Sequence, residues 1–316
     1  MAKEKKEKKA KRHPFRTFFR TERDGFKAYF VNAKYILVPV VVFAIAVTAF
    51  FALRFLGLYI SENDFARQAN AALEASGETT RVAPPTFQYL WVKTFEGLTL
   101  NADLTQMVST MGLSDGGLKD SLMEQIKSSV AANNICNIVG FGILLISLFL
   151  ASAMCGKKIK QANNVTYGLK YTIISLILKL VVFSGLITGL TYLFNYLPWA
   201  SAIVSIILIP FFQSLFALWR AYMVQMGLKK TLGMFRTITP ADAFMFLLLT
   251  WGIYLIFGTV FVVLMSVLPK NVFLILSFAL PLFVYTSCFL EVYAEIYILK
   301  KGQLQKKDET PQAGNA

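Results

Sequence analysis

The sequence predicts an all-α membrane protein with six transmembrane helices. Apolar residues make up 56% of the 316 positions and charged residues only 16%, a balance that a soluble domain cannot cover with polar surface. Six segments are mainly apolar over about 20 residues or more, the length that a helix needs to cross the hydrocarbon core. None of the six alternates polar and apolar residues, which excludes the pattern of a barrel.

A sequence repeat at an offset of 71 residues predicts how the helices are arranged. The equivalent pairs are Pro198 and Pro269, Pro210 and Pro281, Arg220 and Glu291, Tyr222 and Tyr293, and Lys229-Lys230 and Lys300-Lys301. A fixed offset indicates one duplicated supersecondary unit. The predicted unit is a transmembrane helical hairpin that turns at Leu-Pro and ends at Lys-Lys. The expected fold is therefore a polytopic bundle of three tandem hairpins, the last two of which form the repeat.

Seven segments follow in order along the chain. They are a basic cytoplasmic tail with an interfacial amphipathic helix (1–34), the first span (35–60), a small helical extracytoplasmic cap (61–133), the second span (134–155), the hairpin of spans three and four (156–226), the hairpin of spans five and six (227–299), and a cytoplasmic tail (300–316). Lys and Arg are concentrated in the tails and in the links after the second and fourth spans. The positive-inside rule therefore predicts that both termini lie in the cytoplasm. The expected location is a plasma or bacterial cytoplasmic membrane.

The N-terminal segment combines a charge run with an amphipathic pattern. Residues 1–12 contain almost nothing to bury and are expected to be disordered. Thr21 followed by Asp24 is a capping signal that predicts a helix start at Thr21. Aromatic residues interleave with basic ones that we expect to contact anionic lipid in the headgroup layer, namely Arg16, Arg20, Arg23 and Lys27. The alternative is a linker that carries only positive-inside charge.

The cap is predicted to hold four short amphipathic helices, over 61–76, 85–96, 101–111 and 118–130. It contains nine acidic and five basic residues, the opposite bias to the cytoplasmic links. We expect its apolar faces to rest on the outer leaflet or on the ends of the spans. The alternative is a surface that binds a protein partner.

Signals for the start of a helix precede each predicted hairpin. Thr239 with Pro240 and Asp242 combines an N-cap, a first-position proline and a first-turn acid. Asn164 takes the N-cap position before the third span, and Thr21 takes it before the first. The first two spans are therefore predicted to be a third copy of the hairpin, in which the cap replaces the Leu-Pro turn.

Most soluble types of active site are excluded. His13 is the only histidine, and neither a P-loop nor a G-x-S-x-G motif is present. Cys136, Cys155 and Cys288 lie within spans and lack metal-binding spacing. Because these motifs and ligand spacings are absent, no cofactor or metal is predicted. No nucleic-acid partner is predicted either, because the positive-inside residues and the basic tail explain the excess positive charge.

Four ionisable residues inside the spans form a predicted charge cluster. Lys179, Arg220 and Glu291 each lie nine residues, about 13.5 Å of helix, from a lysine at the cytoplasmic edge, so they share one depth. Glu295 follows Glu291 by one helical turn. We expect Arg220 to pair with Glu291, with Lys179 and Glu295 completing the cluster. The cluster could be a structural clasp, a substrate or proton site, or separate side chains that face lipid.

Pro210 and Pro281 are predicted to kink the fourth and sixth spans. Such kinks either shape helix packing or act as hinges around a site in the middle of the membrane.

Three functions remain open after these exclusions. The first is a non-catalytic accessory, assembly or scaffold component. The second is a small carrier or permease subunit that uses the charge cluster. The third, an intramembrane enzyme, is disfavoured because no nucleophile–base pair or metal set is recognisable.

Overall fold

The computed structural model describes residues 14–96, 100–111, 116–165, 169–227, 240–267 and 272–309. Over these ranges the chain forms α-helices joined by short connections and contains no strand. Six helical stretches are long and apolar enough to cross a membrane. The predicted class, an all-helical protein with six helices long and apolar enough to span a membrane, is confirmed at this level.

The described ranges contain ten α-helices, numbered here in chain order. They are α1 (Pro14–Val31), α2 (Leu37–Ala75), α3 (Phe87–Glu96), α4 (Leu100–Thr110), α5 (Gly116–Ser129), α6 (Ala131–Ala162), α7 (Leu169–Tyr196), α8 (Pro198–Met226), α9 (Pro240–Val267) and α10 (Val272–Glu309). A short 3-10 turn, Ala33–Ile36, connects α1 to α2.

Backbone contacts divide the chain into two compact units. One unit comprises Met1–Pro39, Ala151–Val267 and Pro281–Ala316. The other comprises Val40–Leu150 and Leu268–Leu280. The predicted charge cluster belongs to the first unit, and residues 61–133, which are the predicted cap, belong to the second.

Helix α1 begins at Pro14, so the predicted helix start at Thr21 is wrong. Proline is favourable in a first helical turn because that position needs no N–H donor, and Thr21 lies inside the helix. One face of α1 packs on α9 and α10. Tyr29 is buried, where its hydroxyl lies 2.9 Å from the Thr286 hydroxyl and its carbonyl accepts a hydrogen bond from the Tyr285 hydroxyl at 2.6 Å.

Helix α2 continues past the predicted end of the first span, so the separate cap helix predicted over 61–76 is wrong. Ser61 lies inside α2 and does not cap it. Its buried hydroxyl accepts a hydrogen bond from the Asn133 amide at 3.0 Å. Asn133 lies in the first turn of α6, where backbone amides lack partners within their own helix. The Ser61 side chain therefore caps a neighbouring helix.

The other three cap helices lie close to their predicted positions and share a hydrophobic core with α2. Their apolar faces pack mostly on one another, and Leu58, near the predicted end of the first span, joins them. The fully buried members of this core include Phe65, Ala69, Leu73, Leu90, Leu104, Val108, Leu122 and Ile126.

Two of the sequence signals for hairpins coincide with helix boundaries in the structure: the Leu-Pro turn and the helix start at Pro240. Leu197 alone separates α7 from α8, which begins at Pro198, and these two helices pack together. Helix α9 begins at Pro240 with Asp242 in its first turn. Asn164 has a left-handed backbone conformation and Val165, directly after it, is not helical, so the predicted N-cap role of Asn164 is wrong.

Candidate functional site

The predicted charge cluster is carried by three long helices. Lys179 lies on α7, Arg220 on α8, and Glu291 and Glu295 on α10. The side chains are buried, with residue exposures of 3%, 1%, 5% and 2% respectively.

Glu291 is the centre of the cluster. Arg220 Nη1 donates a hydrogen bond to Glu291 Oε2 at 2.5 Å. The other carboxylate oxygen, Oε1, accepts hydrogen bonds from Lys179 Nζ and from the Ser175 hydroxyl, the latter at 3.3 Å. Both oxygens of this carboxylate are therefore hydrogen-bonded within the protein, which is what a buried carboxylate needs to remain charged.

The two cations around Glu291 have further partners. Arg220 Nη2 donates to the Thr172 hydroxyl at 2.7 Å, and Lys179 Nζ donates to the Ser287 hydroxyl at 2.5 Å. These hydroxyls lie on α7 and α10. The network therefore joins α7, α8 and α10 by hydrogen bonds made to charged groups, which are stronger than those between neutral groups.

Glu295 forms a separate pair with a residue that the sequence prediction missed. Its Oε2 lies 2.5 Å from Lys160 Nζ, and both side chains are almost completely buried. The sequence assigned Lys160 to the positive cytoplasmic link together with Lys157 and Lys158. The sequence contains a helical signal, because Ser152, Gly156 and Lys160 follow at spacings of four and therefore lie on one face of a helix. In the structure all three are buried on α6.

Pro210 and Pro281 both lie inside continuous helices. Pro210 has no amide hydrogen to donate to the carbonyl of Ile206, one turn earlier. The Trp251 indole on α9 donates to that carbonyl at 2.7 Å. The backbone group freed by the proline is therefore satisfied by a neighbouring helix, as membrane helices require.

The predicted lipid-contact residues lie on α1. The side chains of Arg23 and Lys27 are exposed, whereas those of Arg16 and Arg20 lie outside the described residues. The same helix carries Glu22, whose carboxyl is partly buried. Burial raises the pKa of Glu22 to about 7.

The described part of the chain contains no group of three His, Cys, Asp or Glu residues that could hold a metal ion. Its three cysteines are free thiols. Cys155 and Cys288 are buried, and their sulfur atoms lie 3.8 Å and 3.4 Å from the carbonyls of Tyr35 and Ser152. Weak donor contacts of this kind are typical of packed cysteines.

The chemistry of the site is ionic pairing between helices. No family model, curated protein or solved structure matches the chain.

Proposed function

We propose that the protein is a non-catalytic accessory, assembly or scaffold component of a membrane, in which the charge cluster is a structural clasp. The observation that carries this proposal is the internal pairing of Glu291 with Arg220 and Lys179 at exposures of 5% or less. Charges within a membrane are costly unless they are paired or wet. A carboxylate with both oxygens bonded to protein groups leaves little of its binding capacity for a substrate.

The proposed architecture is three tandem hairpins, of which the last two form the repeat. Arg220 and Glu291 occupy equivalent positions 71 residues apart and pair directly with each other. This contact is expected if the two copies pack as related partners. The distribution of Lys and Arg supports both termini in the cytoplasm of a plasma or bacterial cytoplasmic membrane.

Two surfaces would make the external contacts of such a component. The basic side of α1, which includes Arg23 and Lys27, would contact anionic lipid. The cap would contact a protein partner. Its shared core supports a stable surface, and it carries a polar cleft of about 560 Å³ whose walls include Glu62, Lys93 and Asp103.

Solvent access to the cluster tests the clasp. The Ser175→Cys and Ser287→Cys variants, in a protein whose native cysteines are replaced, place thiols beside Glu291 and Lys179 while preserving every charge. A sealed clasp predicts that neither thiol reacts with a membrane-impermeant maleimide. Ser128→Cys, at an exposed cap position, is the reactive control. Rapid labelling at positions 175 and 287 would contradict the clasp.

A carrier or permease subunit is the second candidate, and a specific observation favours it. Gln213 lies two turns from Arg220 on α8 and is 1% exposed, and its side-chain amide contacts the Tyr254 hydroxyl on α9. A single hydroxyl satisfies only part of the hydrogen-bonding capacity of an amide, which has two donors and two acceptor positions. Water is the usual partner of such a buried group. A wet path from Gln213 to the cluster would make thiols at 175 and 287 reactive, and a transported substrate would protect them.

A further inference from the structure

An aromatic groove lies between α2 and α3 in the second unit. Thr48, Ala52 and Phe55 line it on α2, and Phe87 and Trp91 line it on α3. Its volume is about 720 Å³. Sites of about 300–1,000 Å³ enclose most of a small ligand.

The groove offers a ligand few hydrogen bonds. Two threonine hydroxyls lie in its walls, and both already donate within their own helices: Thr48 to the Ala44 carbonyl at 2.8 Å, and Thr94 to the Leu90 carbonyl at 2.7 Å. The rest of the lining is Ala, Phe and a single Trp. The chemistry of the walls therefore selects hydrocarbon over a polar molecule.

The α3 wall exposes large rings. Phe87 is 70% exposed and Trp91 54% exposed, and their rings stack with centroids 6.1 Å apart. A soluble surface rarely leaves such a patch open. Aromatic side chains, Trp above all, are favoured where hydrocarbon meets the headgroups of a bilayer.

The position of the groove along α2 places it at the level of one leaflet. Thr48 and Phe55 lie about 16 Å and 27 Å along the helix from Leu37, at 1.5 Å per residue. The hydrocarbon core is about 30 Å thick, so the groove faces its distal half. On the same helix Val41 and Ile45 are exposed, so the groove continues the lipid-facing surface of α2.

The length of α3 favours a lipid chain over a helix from another protein. Its 10 residues extend for about 15 Å, half of the hydrocarbon thickness. A transmembrane helix would contact this wall along only half of its own length. An acyl chain from one leaflet has about the length of the wall.

The α3 wall is held in place before any ligand binds. Arg54 on α2 is buried and donates from Nη2 to the Lys93 carbonyl on α3 at 3.3 Å. Lys93 Nζ in turn lies 3.0 Å from Asp103 Oδ2 on α4. These contacts fix the groove as a preformed feature and limit the entropy that a ligand must lose on binding.

We propose that this aromatic groove binds one acyl chain of a bilayer lipid. The chain lies against Phe55 and Ala52 on one side and Phe87 and Trp91 on the other. The lipid headgroup then lies at the level where α2 leaves the membrane. The site is independent of the proposed clasp, since it lies in the other compact unit.

Photocrosslinking tests the proposal on the full-length protein in nanodiscs. The probe is a phosphatidylcholine with a diazirine midway along one acyl chain, and labelled peptides are mapped by mass spectrometry. We expect stronger labelling of residues 48–55 and 87–95 than of the exposed α6 surface around Ile138 and Ile146. Ala52→Trp fills the groove and should abolish the excess, while Ile45→Trp, on the open surface of the same helix, should leave it unchanged.

Trp91→Ala provides a second variant that removes a wall without adding bulk, and it should also lose the excess labelling. Equal labelling of the groove and of α6 would overturn the proposal, because it would show ordinary contact with surrounding lipid. Labelling that Ala52→Trp and Trp91→Ala leave unchanged would also overturn it.

Discussion

At the residue scale, most of the buried polar groups of the candidate site have hydrogen-bonding or ionic partners that could not be predicted from the sequence. The Ile206 carbonyl freed by Pro210 accepts from the Trp251 indole, and Glu295 pairs with Lys160. Leaving such a group without its partner costs more than the bond contributes when made. Single substitutions that remove one partner should therefore have measurable effects.

Trp251→Phe should destabilise the protein by about 1 kcal/mol, because the Ile206 carbonyl loses its donor and hydrogen bonds between membrane helices are worth roughly that much. Adding Pro210→Ala restores the amide donor within α8, so the double variant should recover much of the loss. The measurement is the free energy of unfolding in mixed micelles. Additive losses in the double variant would show that the indole does not replace the missing amide.

Glu22 predicts a pH dependence outside the membrane spans. Its pKa rises from 4.5 to about 7 because burial disfavours the charged carboxylate. The folded state therefore binds the proton more tightly than the unfolded state, so this contribution to stability is largest below pH 4.5 and falls as the pH rises to 7. Glu22→Gln should be more stable than the wild type at pH 8, by about 1 kcal/mol after allowance for solvent screening. The difference should vanish near pH 4.

Thermal unfolding at several pH values measures this effect. Asp24→Asn is the matched control, because the Asp24 side chain is 53% exposed on the same helix. The pH profile of Glu22→Gln is compared with that of this variant, which removes one carboxyl group from an exposed position of the same helix. A Glu22→Gln variant with the pH profile of the wild type would contradict the assignment.

At the element scale, close contacts at glycines show how α1 is held. A Cβ added to Gly252 on α9 would lie 2.4 Å from the Phe26 ring, and one added to Gly25 would lie 3.0 Å from a Leu249 methyl. These distances allow no larger side chain without movement. Helix α1 is therefore a packed part of its unit as well as a surface for lipid.

Gly252→Ala should destabilise the protein by about 1–3 kcal/mol through overpacking against Phe26. Phe26→Ala in the same protein should relieve the clash, so the double variant should lose less than the two single losses combined. Gly185→Ala is the control, because a Cβ there meets no atom within 4 Å. If Gly252→Ala behaves like Gly185→Ala, the packing of α1 on α9 is wrong.

Sequence reasoning succeeded where a signal is local and failed where the partner is distant. Apolar length alone predicted the six helices that are long and apolar enough to cross a membrane, and Pro240 marked the start of α9. The Ser61 pattern resembled a helix cap, but the hydroxyl caps a helix that begins 70 residues later along the chain. Lys160 resembled a positive-inside residue because charge count cannot distinguish it from its exposed neighbours. Only packing determines which lysine is buried.

At the scale of the whole molecule, the distribution of Lys and Arg along the chain predicts which segments lie on each side of the membrane. Both termini should lie on one side of the membrane and the cap on the other. In intact cells, a membrane-impermeant thiol reagent should label Ser128→Cys and should not label a cysteine appended after Ala316, both in a cysteine-free background. Both should react after permeabilisation. Labelling of the terminal cysteine in intact cells would reverse the proposed topology.

The central claim is that Glu291 holds two buried cations and thereby joins three helices. The most direct measurement is the free energy of unfolding of Glu291→Leu, Arg220→Leu and the double variant. Glu291→Leu should cost about 3–5 kcal/mol, because it leaves Arg220 and Lys179 buried without their carboxylate. Arg220→Leu should cost less, because Lys179 still pairs with Glu291, and the double variant should be more stable than Glu291→Leu alone. Small losses in both single variants, or losses that simply add in the double variant, would contradict the clasp.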